Sequence, residues 1–345
     1  MTATTTTTDQ TVSTSARTMR AVAQDSYGDA DVLAVQTLPI PEPAAGQVLL
    51  RVRAAGVDRG VWHLMTGKPA LVRVLGFGFR RPSQPVRGID VAGTVVAVGE
   101  GVDRFAPGDE VFGFTNGSYA EYAVADADKL AAAPAGLSPA ESAVLAVSGV
   151  TALHAVEEIA DVRAGERVLV LGGSGGVGSY VVQLAASRGA HVTAVAGAAK
   201  ADFVRGLGAE RVVDYRTEDI TASGEIFDVI IDIGGSTPVR RMRRILAPEG
   251  TLAIVGGEGG DWLTGGMGRQ IGASLLSMFT KQKLAFFISP EDQASLARLA
   301  EHVEAGRVRP AVTRTYALAE APQAIADLVA GRIAGKAAIE IEAAS

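Results

Sequence analysis

The run Arg167-Val168-Leu169-Val170-Leu171-Gly172-Gly173-Ser174-Gly175-Gly176-Val177-Gly178-Ser179-Tyr180-Val181-Val182-Gln183-Leu184-Ala185 decides the fold. An aliphatic, β-branched segment ends in glycines, and a helical pattern starts directly after them. Gly173, Gly175 and Gly178 form G-x-G-x-x-G. The first glycine permits a tight turn after a buried strand, the second lets a pyrophosphate reach the backbone, and the third lets the helix pack against the strand. The helix start then offers free N–H groups and the positive end of its dipole to the phosphates. A second strand, His191–Ala196, arrives about twenty residues on, as a dinucleotide-binding unit requires.

Outward from this run the pattern alternates. Helix is expected over residues 200–207 and 239–246, the latter closed by Pro248-Glu249-Gly250. Strand is expected over 211–215, 227–232, 251–257 and, as an edge, 283–288, and a further helix over 289–305. Such alternation builds a parallel, doubly wound sheet. Before it, residues 47–54, 91–99, 105–113 and 119–124 read as short strands between Gly and Pro breaks, suggesting a small antiparallel barrel or sandwich. An apolar helical stretch over 139–147 and 150–159 leads into the glycine run.

The chain has 345 residues, 48% of them hydrophobic and 20% charged, which suits two globular domains. A net charge of −6 argues against a nucleic-acid partner. The absence of cysteine excludes thiolate catalysis and any Cys-held zinc, and fits a reducing, cytoplasmic setting. No apolar run reaches the length of a membrane span. Residues 1–18, rich in Thr and Ser without an apolar core, read as a disordered tail rather than a signal peptide.

The order of these segments resembles the medium-chain dehydrogenase/reductase superfamily, in its zinc-free quinone oxidoreductase-like branch. The resemblance covers residues 19–341. It rests on Gly56-Val57-Asp58 through Met65-Thr66-Gly67, Arg87-Gly88-Ile89-Asp90-Val91-Ala92-Gly93, Phe105-Ala106-Pro107-Gly108-Asp109-Glu110-Val111, Gly117-Ser118-Tyr119-Ala120-Glu121-Tyr122, Gly149-Val150-Thr151-Ala152, the glycine run, and Gly331-Arg332-Ile333-Ala334-Gly335-Lys336. It implies a GroES-like β-barrel catalytic domain (residues 19–146, with a return over 290–345) beside a Rossmann domain (147–289), and a cleft between them.

In zinc-using relatives two cysteines and a histidine hold the metal. The corresponding positions are Asp58, Ile89 and, at or near, Val147. Two aliphatic side chains cannot serve, so no metal is expected. The resemblance therefore implies hydride transfer from NADPH to a quinone or α,β-unsaturated carbonyl. An NAD(P)-dependent alcohol dehydrogenase or ketone reductase, or a non-catalytic NADPH-binding protein, stays open.

Asp58 and His63 are the candidate catalytic groups, Asp58 with a leaning toward a bond to the nicotinamide ribose or nearby backbone. The cofactor is expected at Thr151, at Gly173, Ser174, Gly175, Gly176, Val177 and Gly178, at Gly197, Lys200 and Tyr215, and at Gly256, Phe287 and Lys336. The second strand runs into Ala196-Gly197-Ala198-Ala199-Lys200 with no carboxylate at its end. That leaves room for a 2′-phosphate and predicts NADPH over NADH. The apolar edge at 283–288 and the family pattern together imply a homodimer.

Overall fold

The computed structural model describes residues 17–71, 73–256 and 265–342. Strands β1 (Thr18–Ala23) and β2 (Ala34–Pro39) form an antiparallel ribbon. The barrel strands β3 (Gln47–Gly56), β4 (Asp90–Val98), β5 (Glu110–Phe114), β6 (Tyr122–Asp126) and β7 (Leu130–Ala132) follow. Along β3, Val48, Leu50, Val52 and Ala54 are buried at a spacing of two, the signature of a strand with one face on the core.

The parallel sheet is built from β8 (Arg167–Leu171), β9 (His191–Ala196), β10 (Arg211–Asp214), β11 (Phe227–Asp232), β12 (Leu246–Ile254) and β13 (Lys283–Phe286). Its order is β10-β9-β8-β11-β12-β13. The order reverses between β8 and β11, so a crevice opens beyond their carboxyl ends, where the glycine run stands. The chain then returns to the barrel. Strand β14 (Val312–Ala317) pairs with β15 (Lys336–Glu340), and β15 pairs antiparallel with β3. The α/β class, with a GroES-like part and a Rossmann-type sheet, is the one expected. Among the described residues no helix is long and apolar enough to cross a membrane.

Four local expectations change. The tail expected over 1–18 lies outside the described residues except for Arg17 and Thr18, and Thr18 already opens β1. The helix expected over 239–246 stops at Met242, and β12 begins at Leu246. Pro248-Glu249-Gly250 does not end an element; it is absorbed as a register shift between the Phe227–Leu246 and Val229–Thr251 pairs. The helix expected over 289–305 spans Gln293–Glu304, started by Asp292, whose side chain accepts from the Ser295 N–H at 2.9 Å. A helix at Met267–Ser277 was not foreseen, because Gly268 and Gly272 interrupt its pattern.

Candidate active site in the cleft between barrel and parallel sheet

The glycine run turns sharply after β8. The Gly172 and Gly173 N–H groups both donate to the Val195 carbonyl, and the helix Gly176–Ser187 starts directly after this turn with Gly175 as its cap. No acidic side chain occupies its first turn, so nothing competes with an anion for the N–H groups there. A Cβ on Gly178 would press into the Gly172 carbonyl oxygen, and one on Gly173 would lie 2.8 Å from the Ala194 side chain. These are the close approaches that the G-x-G-x-x-G reading demands. Val177 is half-buried against the main core, and the Ser174 carbonyl accepts from the Gly335 N–H at 2.9 Å. The residues present thus form a cradle that fits a dinucleotide.

Beneath the cradle lies a charged cluster. Lys336, first residue of β15, is 1% exposed and donates to Asp58 Oδ1, to Ser148 Oγ at 3.1 Å and to Asp90 Oδ2 at 3.4 Å. Ser148 Oγ in turn donates to Asp58 Oδ1 at 3.3 Å. Asp90 Oδ1 accepts from the Val147 N–H at 2.7 Å, while Asp58 Oδ2 is buried without a partner. Burial and the neighbouring Asp58 carboxylate push Asp90 well above the usual carboxylate range, against the opposing pull of Lys336. Burial alone would lower Lys336, but the two carboxylates outweigh it and hold the ammonium charged. A proton is thus held more readily on Asp90 than on an ordinary carboxyl. The cluster touches the cradle directly: a Cβ on Gly176 would stand 3.0 Å from both Lys336 Cδ and Ser148 Oγ.

This arrangement revises two site expectations. All three N–H groups of Lys336 are taken by the cluster, so its charge lies below the loop and is not free for a phosphate. Among the described residues the Asp58 side chain bonds to no backbone group: it precedes the helix Arg59–Thr66 without capping it and turns inward to Lys336. His63, on that helix, has other company, with Nδ1 at 2.9 Å from the Lys68 carbonyl and its ring edge-on to Trp62. Thr151 is on the helix Ala146–Leu153 one turn beyond Val147, whose carbonyl accepts from its hydroxyl at 2.6 Å.

Beyond the end of β9, Gly197 lies under a side chain that sequence reasoning missed. A Cβ there would be 3.4 Å from Arg216 Nη1 and 3.7 Å from the Tyr215 ring. Arg216 leans over the Tyr215 ring at 5.3 Å, and that ring is exposed. The signal for Arg216 was its place beside Tyr215. Lys200 donates to the carbonyls of Gly331 (2.9 Å) and Ile333 (2.5 Å), leaving one N–H, and partial burial lowers its pKa. Gly256 brings the end of β12 against the Ile233 carbonyl, and Phe287 packs half-buried on the main core. Tyr119 is fully buried and donates to the Gly56 carbonyl at 3.2 Å, so it packs the barrel.

Family models agree with this architecture. Residues 44–135 match the alcohol dehydrogenase GroES-like domain, and residues 207–339 match the zinc-binding dehydrogenase domain. The chloroplastic quinone-oxidoreductase QR1 of Triphysaria versicolor is 31% identical over 338 residues, which is 93% of this chain and 98% of that protein. The chain belongs to the medium-chain dehydrogenase/reductase superfamily, in its quinone oxidoreductase-like branch. Among solved structures, the quinone oxidoreductase from Coxiella burnetii superposes with a TM-score of 0.83 at 26% identity, covering 94% of this chain and all of that one. A mycobacterial protein solved with NADPH superposes at 0.78 with 27% identity, covering 93% of this chain and all of that one.

Proposed function

We propose that this chain reduces a quinone or an α,β-unsaturated carbonyl with NADPH, without zinc. Its class is that of an NAD(P)H-dependent oxidoreductase. The observation that carries the finer reading is the buried cluster at the position where zinc-using relatives place their ligands. Asp58 is committed to Lys336 and Ser148, and the other two positions, Ile89 and Val147, offer no donor atom. A catalytic zinc needs three protein ligands and an open fourth position. An acceptor that is already electrophilic needs no Lewis acid.

In this reading the N–H groups at Gly176 and beyond hold the pyrophosphate, and Lys200, Tyr215 and Arg216 surround the 2′-phosphate. Thr151 lies beside the nicotinamide, which supplies a hydride when bound. Asp58 and Lys336 act from below: they fix the Ser148 hydroxyl and hold the Gly176 turn. Asp90, raised by burial and by Asp58, takes up a proton more readily than an ordinary carboxyl. The residue division at about 147 and 289, and a cytoplasmic location, belong to the same proposal.

A homodimer is also part of it. β13 is an edge strand, and Ile271, Leu275, Met278, Phe279 and Ile288 beside it are exposed. An uncovered apolar edge favours pairing with a second copy. The test of the main reading is NADPH oxidation with a panel of quinones and enones, before and after exhaustive chelation. Turnover that survives chelation is expected; turnover lost to chelation and restored by zinc would overturn the zinc-free reading.

A further inference from the structure

Arg87 is a second buried cation, and unlike Lys336 it has no counter-charge among the described residues. The residue is 6% exposed, and its Nη2 is buried without a hydrogen-bond partner. The one side-chain bond it makes among the described residues is a long one, Nε to the Pro85 carbonyl at 3.4 Å. Among the described residues no carboxylate faces it; burial lowers its pKa to about 10, with Tyr27 as the charge working upward, so it stays protonated at neutral pH. An unpaired guanidinium in such a place is costly unless something anionic meets it.

The backbone holds the side chain where it is. The Arg87 N–H donates to the Val22 carbonyl, and the Arg87 carbonyl accepts from the Tyr119 N–H at 2.9 Å. Gly88 follows at a φ of +101°, packed so closely that a Cβ would meet the Tyr119 ring at 2.6 Å. The guanidinium therefore lines a fixed cavity walled by Val61, Leu64, Phe77, Gln84, Ile89 and Asn116. Ile89, which lines the cavity, stands at a position where zinc-using relatives place a metal ligand, which puts the cavity beside the cleft. The cavity volume is about 30 Å³. That exceeds the roughly 10–15 Å³ one water needs on this measure, so a head group of carboxylate size fits.

We propose that Arg87 sets the specificity of the acceptor site by taking a carboxylate carried on the quinone or enone. This rests on the reductase reading above and deepens it: the acceptor is an acid, its ring in the cleft and its carboxylate in the Arg87 cavity. Guanidinium and carboxylate match as a planar, two-bond pair.

The experiment compares a 1,4-naphthoquinone with its carboxylated analogue in wild type, Arg87→Met, Arg87→Gln and Arg87→Lys, each checked for native melting. In wild type the carboxylated quinone should have a KM lower by about ten- to a hundred-fold. In Arg87→Met and Arg87→Gln the ratio of the two KM values should fall to about one, and Arg87→Lys should restore part of it. Equal KM values in wild type, or a substitution that shifts both acceptors equally, would overturn the proposal and leave the cavity a site for water alone. If neither acceptor turns over, the reductase reading fails. Calorimetric titration of the NADP⁺-loaded protein with the carboxylated quinone then decides the Arg87 site. Binding weakened in Arg87→Met upholds it, and binding absent or unaltered overturns it.

Discussion

Replacing Lys336 by methionine removes the one cation from a pocket that holds two carboxyls. Methionine keeps a long apolar stem, so the contact beneath Gly176 is largely retained and the change is mainly one of charge. In the native cluster the Lys336 ammonium opposes the upward push that burial and the neighbouring Asp58 exert on Asp90. Without the ammonium, the pair must either keep an uncompensated buried charge or bind a further proton. Protonation sets the ceiling on the penalty. Keeping neutral a carboxyl whose unfolded pKa is about 3.9 costs about 1.36 kcal/mol per pH unit, hence about 4.9 kcal/mol at about pH 7.5 and about 1.5 kcal/mol near pH 5. The upper figure lies within the roughly 3–5 kcal/mol lost when one partner of a buried ion pair is removed.

The sign follows from the raised carboxyl. A carboxyl whose folded pKa lies above its unfolded value contributes stability in acid, and that contribution is lost as pH rises through the folded value. Removing Lys336 takes away the charge that lowers Asp90, which extends this loss. The penalty of Lys336→Met should therefore shrink by roughly 3 kcal/mol between about pH 7.5 and pH 5. Urea unfolding of wild type and variant, followed by tryptophan fluorescence at both pH values, measures it. A loss of equal size at both pH values, or a loss below about 1 kcal/mol at the higher one, would refute the charge balance assigned to the cluster.

Three further outcomes are expected. Gly178→Ala forces a Cβ into the Gly172 carbonyl, a backbone atom that cannot step aside, so NADPH affinity by fluorescence titration should fall at least about tenfold; unaltered affinity would show that the turn is not the cradle. Lys200→Ala and Arg216→Ala should each raise the KM for NADPH by about tenfold more than that for NADH, since each removes a charge-assisted donor to the 2′-phosphate; equal effects on both cofactors would reassign these side chains. Light scattering at micromolar concentration should return the mass of a dimer, and a monomer would mean that the β13 edge is covered in some other way.

What could be read from the sequence was what repeats locally. The β8 run, the glycines after it and the alternating strands declare themselves within a few residues, because strand period and close backbone approach are local demands. The charged cluster is not local: Lys336 is 278 residues from Asp58, and no spacing rule connects them. Without that contact Lys336 reads only as a cofactor contact and Asp58 as a catalytic candidate with a leaning toward the nicotinamide ribose or nearby backbone. Arg216 was hidden by the more familiar pairing of Lys200 with Tyr215. Arg87 was hidden by the general habit of arginine to lie at the surface; its burial follows from β-barrel packing on both sides of residues 87–88. The helix Met267–Ser277 was lost for a simpler reason, since two glycines in its first six residues look like a loop.

The late return of the chain to the barrel has a consequence in time. β15 pairs with residues 54–56 of β3, Gly335 pins Ser174, and Lys336 fills the cluster, all from one short segment near residue 336. A ribosome adding about 5–20 residues per second needs on the order of 15–60 s to travel from β3 to that segment. During that interval Asp58 and Asp90 have no cation and keep their water, the upper part of β3 lacks its neighbour, and the glycine run is not yet tied to the barrel. The parallel sheet can form on the nascent chain, but the nucleotide cradle closes only when the segment around Lys336 arrives.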